Sequence, residues 1–395
     1  MADTRVAGLL LALLFSSAAV GGELSSAAPD ALAVTRFAVM PGQDEVIARS
    51  GWYQPQVELR ARARPWAAVN DAAAAAQFAA AQAVARRYDS LALVVIRDGR
   101  ILFEDYTAPA VSGTRFESNS MHRALFALVV GAAVADGTIP SLDTPLRALA
   151  PDWFTATDLR GGIAVRDLLY GQSGLEDPSF ENRPDSPGMR LFIGSDLRGL
   201  VLGQTATTAP GTRFRGAIVD AQLLGLLLEH RLRRSYAGYL SEKIWLPIGA
   251  GPASVRLDRS GGNTRTFCCL QATARDWARV GQLVLDRGRG MDGRRVLPES
   301  WIDQMLSPAP LNAAFGMFWL LKPTPLTPRS VGASQAPPAS TPFTATDAVY
   351  GGARGGQRVY VIPSRRAVIV RFGKMRYDFD DGAFLNPFIA ALDAR

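Results

Sequence analysis

The alternation of apolar and polar positions predicts a β-hairpin near residue 100. Two apolar runs, Leu91–Ile96 and Ile101–Tyr106, flank the turn residues Asp98 and Gly99. An Asp-Gly pair between such runs is a strong hairpin signal. The pattern returns towards the end of the chain, where it predicts three further strands: Phe315–Leu321, Gln357–Ile362 and Ala367–Phe372.

Helical periodicity predicts the elements around these strands. Ser120–Asp136 is apolar nearly all round and stops before Gly137, which is typical of a buried helix with a glycine at its C-terminal end. The other predicted helices are Ala73–Arg87, Val219–Arg234, Ala272–Asp286 and Ala383–Leu392. This order predicts an α+β fold: an antiparallel sheet formed from both chain ends, flanked by helices, with a mainly helical lobe inserted at about residues 140–310.

The first residues have the pattern of an export signal. In residues 1–28, Arg5 precedes an apolar stretch that ends in small side chains and is about half as long as a bilayer span. We therefore expect a signal peptide, no stable membrane anchor, and a periplasmic or secreted protein. Residues 29–72 are expected to form an irregular N-terminal extension, and residues 73–395 the folded domain. The proline-rich residues 323–347 predict a long exposed loop.

Charge and composition argue against some classes of function. The formal net charge is +7, but no run of five basic residues and no basic-aromatic interleaving indicates nucleic-acid binding. The only histidines, His122 and His230, are too few and too scattered for a metal site, and no cofactor is expected. Neighbouring cysteines can join only through a strained small ring, so Cys268 and Cys269 are expected to be two buried thiols.

Six segments then carry a family resemblance by occurring in a fixed order. They are Phe116–Ile139, Ile163–Leu175, Pro210–Leu226, Cys268–Arg279, Val296–Trp301 and Gly355–Pro363. Together they resemble the class C β-lactamase-related serine hydrolases, which include D-alanyl-D-alanine carboxypeptidases, family VIII esterases and 6-aminohexanoate-dimer hydrolases. The resemblance covers about residues 73–392. It implies a β-lactamase and penicillin-binding-protein fold, with acyl-enzyme chemistry at a serine.

The family's first motif is Ser-x-x-Lys at the start of a helix, and it matches Ser120 to Arg123 here. A spacing of three puts both side chains on one helix face, and the lysine helps to remove the serine proton. The resemblance makes Ser120 the nucleophile, whereas Arg123 stays protonated and cannot act as that base. The alternative is that Ser120 only caps the helix. His122 faces away from Ser120, about 200° round the helix, so we expect a filler or surface residue.

The second motif places a proton-transferring tyrosine after a Pro-Gly-x-x-Phe segment. The matching stretch is Phe214–Asp220, with Gly216 at the tyrosine position and Ile218 at the asparagine position. Neither side chain can move a proton or donate a hydrogen bond. Because no tyrosine lies between Tyr170 and Tyr236, shifting the match does not restore one.

The third motif lies on a strand that edges the site, and Tyr350, Gly351 and Gly352 fit its aromatic variant. Glycines there allow close approach of the backbone to a ligand. A strand amide would complete an oxyanion hole with Ser120. The alternative is a glycine-rich strand entry without a binding role, and the match can shift by one residue.

The motifs together support two functions. The first is acyl-enzyme hydrolysis of an ester, amide or D-amino-acid peptide through Ser120, impaired because Arg123 and Gly216 replace proton-handling residues. The alternative is a catalytically degenerate periplasmic protein. It would use Arg123 and the retained cleft to bind a small-molecule or peptide ligand that bears a carboxylate.

Overall fold

The fold is described from a computed structural model of the chain. The structure describes residues 30–42, 45, 47–49, 51–68, 76–323 and 340–394. The expected signal peptide, and residues 324–339 of the expected proline-rich loop, lie outside the described residues. Within these ranges, no helix is both long enough and apolar enough to cross a membrane.

Helices dominate the middle of the described chain, and strands lie towards both ends. The α-helices are α1 (Ala31–Val39), α2 (Ala79–Arg87), α3 (His122–Ala135), α4 (Leu146–Leu149), α5 (Val165–Leu169), α6 (Pro187–Ile193), α7 (Leu197–Leu202), α8 (Ile218–Leu232), α9 (Tyr236–Leu240), α10 (Ala274–Leu285), α11 (Glu299–Met305) and α12 (Asp381–Asp393). The strands are β1 (Gln56–Glu58), β2 (Ala67–Ala68), β3 (Ser90–Arg97), β4 (Arg100–Tyr106), β5 (Phe116–Glu117), β6 (Ser254–Arg256), β7 (Gln271–Ala272), β8 (Val349–Gly352), β9 (Arg358–Ile362) and β10 (Ala367–Gly373).

The main sheet joins the two ends of the described chain. Its six described strands have the order β2-β4-β3-β10-β9-β8, and all neighbours are antiparallel except the short β2-β4 pair. The hairpin predicted around Asp98 and Gly99 is β3-β4, and Val94 of β3 lies opposite Val370 of β10. The predicted α+β fold with a sheet from both chain ends is therefore confirmed.

Each face of this sheet covers a separate part of the core. Side chains alternate along β3, so Val94 and Ile96 face the cluster that contains α3 and α10, while Leu93 and Val95 face the cluster beneath α2 and α12. The face that carries α3 bears the candidate site. Helix α10 lies within the range expected for the inserted lobe, but it packs on this sheet against β3, β9 and β10.

The N-terminal extension is more regular than its sequence indicates. It contains helix α1, and β1 pairs with β6 in a second sheet of order β1-β6-β7-β5. The buried Arg36 donates hydrogen bonds to the carbonyl oxygens of Ile193 at 2.6 Å and Asp258 at 2.9 Å. The expectation of an irregular extension is wrong for these residues, because distant carbonyl groups and strands give the segment its partners.

The prediction of a strand at Phe315–Leu321 is also wrong. The chain turns back on itself there, with Phe318 at a φ of +58° and an isolated bridge between Phe315 and Leu320. The edge of the main sheet is instead formed by β8, and only Leu320 bridges to it, at Tyr350. An apolar run therefore marked a buried segment but not its backbone conformation.

Candidate active site

Ser120 lies in a tight turn that leads directly into α3. Residues 119–121 form one turn of 3₁₀ helix, and Asn119 adopts a positive φ of 47°. The turn is tied to its surroundings by the Ser118 amide, which donates to the carbonyl oxygen of Leu270 at 3.0 Å. The Ser120 hydroxyl is therefore near the N-terminal end of a 14-residue helix, where the helix dipole favours negative charge.

No side chain in the described part of the chain accepts a hydrogen bond from the Ser120 hydroxyl. Ser120 is only partly buried, so a small molecule can approach it. The turn presents a nucleophile without a base in contact with it.

Arg123 lies one helical turn after Ser120 and points towards the second motif. Its Nε donates to the carbonyl oxygen of Ser120 and its Nη1 to the carbonyl oxygen of Gly216, both at 3.4 Å. The guanidinium group is 5.9 Å from the centre of the Phe318 ring. Burial lowers the pKa of Arg123 while Asp177 and Asp220 raise it, and an arginine in this position keeps its positive charge.

Gly216 contacts Arg123 only through its backbone carbonyl oxygen. Its φ is +62°, and its amide donates to the carbonyl oxygen of Gly171 at 2.9 Å. A Cβ atom on Gly171 would stand 2.7 Å from the Gly216 Cα, so the two glycines permit a close backbone contact. The structure thus brings the segments predicted as the first and second motifs together, through the Arg123 side chain and the Gly216 carbonyl oxygen.

Asp220 is a buried carboxyl group that sequence reasoning missed. It lies in the first turn of α8 and is fully buried. The Ser173 hydroxyl donates to its Oδ1 at 2.5 Å, and no described residue hydrogen-bonds to its Oδ2. Burial raises the pKa of Asp220 well above its usual value, although Ser173 and Arg123 oppose the rise. An aspartate at the start of an otherwise apolar helix was the available signal.

The third motif places its three residues on opposite faces of β8. Gly351 faces α3, since a Cβ atom there would stand 2.6 Å from the Ala124 Cβ on that helix. Tyr350 faces the other way, is fully buried, and directs its hydroxyl to the Asp381 Oδ2 at 3.4 Å. Gly352 shares that far face, next to Arg358. The structure therefore brings Gly351 to the Ser120 helix but neither Tyr350 nor Gly352.

His122 and the two cysteines lie behind the nucleophile turn. His122 is fully buried, with Nδ1 donating to the Cys268 carbonyl oxygen at 2.6 Å and Nε2 accepting from the Tyr236 hydroxyl at 2.9 Å. Burial lowers its pKa to about 4, so it is neutral at physiological pH. His122 is thus a core residue, one of the two roles expected for it.

The cysteine expectation is wrong in part. Cys268 and Cys269 are buried as expected, but the structure joins them in a disulfide bond rather than leaving two thiols. Cys269 has a φ of +79°, so the chain bends sharply at this pair. Neighbouring residues that bend in this way can bring their sulfur atoms together, which the sequence alone does not reveal.

Two surface clefts lie apart from Ser120. One, of about 540 Å³, is lined by residues that include Asp89, Tyr106 and Lys374; the other, of about 340 Å³, includes Trp153 and His230. Neither is lined by Ser120 or Arg123. Within the described residues, no group of three histidine, cysteine or carboxylate side chains could hold a metal ion.

Comparisons with known proteins agree with the geometry. The chain is 26% identical over 230 residues to a 6-aminohexanoate-dimer hydrolase of Paenarthrobacter ureafaciens, a match that covers 55% of this chain and 57% of that relative. A putative 6-aminohexanoate-dimer hydrolase from Bacillus anthracis has a similar structure (TM-score 0.68, 18% identity), covering 88% of this chain and 92% of that one.

Two further solved structures share the fold. A family VIII carboxylesterase has a TM-score of 0.61 at 16% identity, covering 86% of this chain and 100% of that one. A penicillin-binding protein homologue from Caulobacter crescentus has a TM-score of 0.59 at 14% identity, covering 81% of this chain and 98% of that one. The profile of the family described as "Beta-lactamase" matches residues 71–394. Fold and sequence together show that this chain belongs to the β-lactamase family.

Proposed function

We propose that this protein is a serine hydrolase that forms an acyl-enzyme at Ser120 with an ester, an amide or a D-amino-acid peptide, and that its turnover is slow. The observation that carries the proposal is the position of Ser120, partly exposed in a turn at the start of α3. The relatives named 6-aminohexanoate-dimer hydrolase and family VIII carboxylesterase support acyl transfer as the reaction.

The proposed step is attack of the Ser120 oxygen on an acyl carbon. The serine proton passes to water, the acyl–oxygen or acyl–nitrogen bond breaks, and the leaving alcohol or amine takes up a proton from water. A second water then hydrolyses the acyl–Ser120 ester, which releases the acid and restores the serine hydroxyl. The helix dipole and the Arg123 charge stabilise the negative charge that develops on the way.

Slow turnover follows from the groups that are missing. The described residues place no base against the Ser120 hydroxyl, and loss of positioned acid-base help costs about 10²- to 10⁴-fold in rate. Binding and oxyanion stabilisation alone can still exceed the reaction in water by about 10³-fold. We therefore expect slow reaction with activated esters and no efficient hydrolysis of β-lactams.

The test is direct labelling of the nucleophile. The purified protein is treated with p-nitrophenyl acetate and with a fluorescent penicillin between pH 6 and pH 10, and adducts are located by mass spectrometry. We expect an acetyl group on Ser120 that is absent from Ser120→Ala. Ser118→Ala, a change at the neighbouring buried serine, is the matched control and should still be labelled. No adduct at any pH would reject the hydrolase.

The second candidate is a binding protein without turnover. It is favoured by the fixed positive charge of Arg123, which makes no direct ion pair with a described carboxylate. The ligand would be a small molecule or peptide that bears a carboxylate. Binding of such a ligand without any Ser120 adduct would favour this candidate.

Export remains part of the proposal. The pattern of residues 1–28 supports a periplasmic or secreted location. Cell fractionation and N-terminal sequencing of the mature protein would test it, since retention of an intact N-terminus in the cytoplasm contradicts export.

A further inference from the structure

Asp220 is a buried carboxyl group in the first turn of α8. Its side chain is fully buried, and buried polar atoms without a hydrogen-bond partner are rare in folded proteins. One carboxylate oxygen of Asp220, Oδ1, has a hydrogen-bond partner. Ser173 accepts a hydrogen bond from the Leu175 amide at 3.0 Å and gives its own proton to the Asp220 Oδ1. The other oxygen, Oδ2, has no hydrogen-bond partner among the described residues.

Arg123 is the cation that can interact with this carboxylate. The Arg123 Nη1 lies 3.4 Å from the carbonyl oxygen of Gly216, two residues before the start of α8, whose first turn carries Asp220. Arg123 and Asp220 each favour the charged form of the other. A guanidinium group has five N–H donors, and Arg123 commits two of them, to backbone oxygens at the long distance of 3.4 Å. The remaining N–H groups of Arg123 are therefore free to interact with an ionised Asp220.

The other charged groups near Asp220 are carboxylates. Asp177 accepts a hydrogen bond from the Val219 amide at 3.0 Å and so caps α8. Asp167, on α5, accepts from the Ala164 amide at 2.9 Å. Both disfavour ionisation of Asp220. Arg123 is the only positive group among the principal influences on it.

We propose that Asp220 is a positioning residue that acts through Arg123: its protonation state sets the net charge beneath the Ser120 hydroxyl. When Asp220 is neutral, the Arg123 charge is unopposed and favours the alkoxide at Ser120. When Asp220 ionises, its free oxygen attracts Arg123, the positive potential at Ser120 falls, and attack slows. This chain has thus exchanged a titrating ammonium group for a fixed cation with a titrating partner. The inference rests on the proposed acylation of Ser120.

The first experiment is a pH profile of Ser120 acetylation by p-nitrophenyl acetate, followed by intact mass between pH 5 and pH 10. For the natural protein, the logarithm of the rate should rise with pH and then bend downwards as Asp220 ionises. Asp220→Asn keeps an acceptor for Ser173 but cannot ionise. Its rate should rise without the bend and exceed the natural rate by about tenfold at high pH, equivalent to about 1.4 kcal/mol. At pH 5 the two rates should agree.

The matched control is Asp167→Asn, a change of the same kind at a neighbouring buried carboxyl group. It should retain the bend. The inference is wrong if Asp220→Asn retains it too, or if both variants lose it.

A second measurement needs no turnover and follows the ionisation of Asp220 itself. In Ser120→Ala protein labelled with ¹³C at the aspartate carboxyl carbons, the Asp220 signal is assigned by its absence from the Asp220→Asn spectrum and then titrated. Adding Arg123→Met removes the cation, so the Asp220 midpoint should rise by about one pH unit or more. An unchanged midpoint overturns the inference. If no Ser120 adduct forms at all, the proposed function fails, and this titration still decides whether Asp220 and Arg123 are coupled.

Discussion

The Arg123 Nη1 donates a hydrogen bond to the Gly216 carbonyl oxygen at 3.4 Å. This contact joins the two positions that the motif match assigns to the family's lysine and tyrosine. A guanidinium group and a backbone oxygen can fix each other's position, but neither can accept the serine proton. The contact therefore fixes the positions of these two groups without supplying a base.

Arg123→Lys should supply such a base. A lysine desolvated beside Ser120 can lose its proton and act as a base. We expect acetylation of Ser120 by p-nitrophenyl acetate to rise by at least about tenfold, a modest part of the usual contribution of acid-base catalysis. Arg123→Met, which removes the charge without supplying a base, is the control and should be slower than the natural protein.

Adding Gly216→Tyr to Arg123→Lys should raise the rate again. The φ of +62° at Gly216 disfavours tyrosine, so a stability loss of about 1–2 kcal/mol is expected alongside. Thermal unfolding measures that loss separately from the rate. If neither the single nor the double variant is faster than the natural protein, the motif assignments at positions 123 and 216 are wrong.

Gly351→Ala should disturb the nucleophile helix. The new Cβ would stand 2.6 Å from the Ala124 Cβ and 3.0 Å from a methyl carbon of Val359, so strand and helix must move apart. Overpacking of this kind costs about 1–3 kcal/mol, and the acetylation rate should fall with it. Gly162→Ala, where a Cβ would meet nothing within 4 Å, should leave the rate unchanged. Equal effects of the two changes would contradict the packing described here.

Tyr350→Phe tests whether the Tyr350 side chain lies on the face of β8 that points away from Ser120. The Tyr350 hydroxyl lies on the face away from Ser120 and contacts Asp381 at 3.4 Å. We expect the acetylation rate to stay within about twofold, and chemical denaturation to show a stability loss of about 1 kcal/mol from the lost hydrogen bond. A large loss of rate with little loss of stability would place Tyr350 in the site after all.

His122 should make the protein sensitive to acid. Burial lowers its pKa from 6.5 to about 4 in the folded protein, so the folded state prefers the neutral ring. The stability that this preference provides is fully present above pH 6.5 and is lost as the pH falls towards 4. The free energy of unfolding should fall by about 3 kcal/mol in total, because each unit of pKa shift corresponds to about 1.36 kcal/mol.

Urea unfolding between pH 4 and pH 7.5 measures this loss. His122→Phe should remove the His122 part of the acid dependence, although it also leaves the Tyr236 hydroxyl without its partner. His230→Gln, at an exposed position, is the control and should keep the acid limb. If His122→Phe and the natural protein lose stability in parallel, the ring is not the group responsible.

Arg36→Met should show that the N-terminal segment is part of the fold. Arg36 is buried and donates to backbone carbonyl oxygens of two distant segments, at Ile193 and Asp258. Removing it leaves those oxygens without their donor and should cost about 2–4 kcal/mol. Arg49→Met is the control, because Arg49 makes only an exposed ion pair with Glu45. Equal losses from the two changes would contradict the anchoring role.

The elements that the sequence predicted well are those with a strong local signal. The Asp98-Gly99 hairpin, the buried helix before Gly137 and the last helix all exist, because turn chemistry and apolar periodicity act over a few residues. The family resemblance supplied Ser120 and its neighbours in order, since motif spacing is also local information. Sequence alone thus determined the fold class and the family, and it predicted which positions match the family's lysine and tyrosine.

Tertiary structure decided the rest, because the deciding contacts join residues far apart in the chain. Phe318 turns where an apolar run predicted a strand, and two of the acceptors of Arg36, the carbonyl oxygens of Ile193 and Asp258, lie more than 150 residues away. Strand alternation sends Gly351 to α3 and Tyr350 to the opposite face. Asp220 meets Ser173 and the electrostatic influence of Arg123 only in the folded chain, because 47 residues separate it from Ser173. Burial, which shifts the charges of these groups, is a property of the folded chain and not of any segment of its sequence.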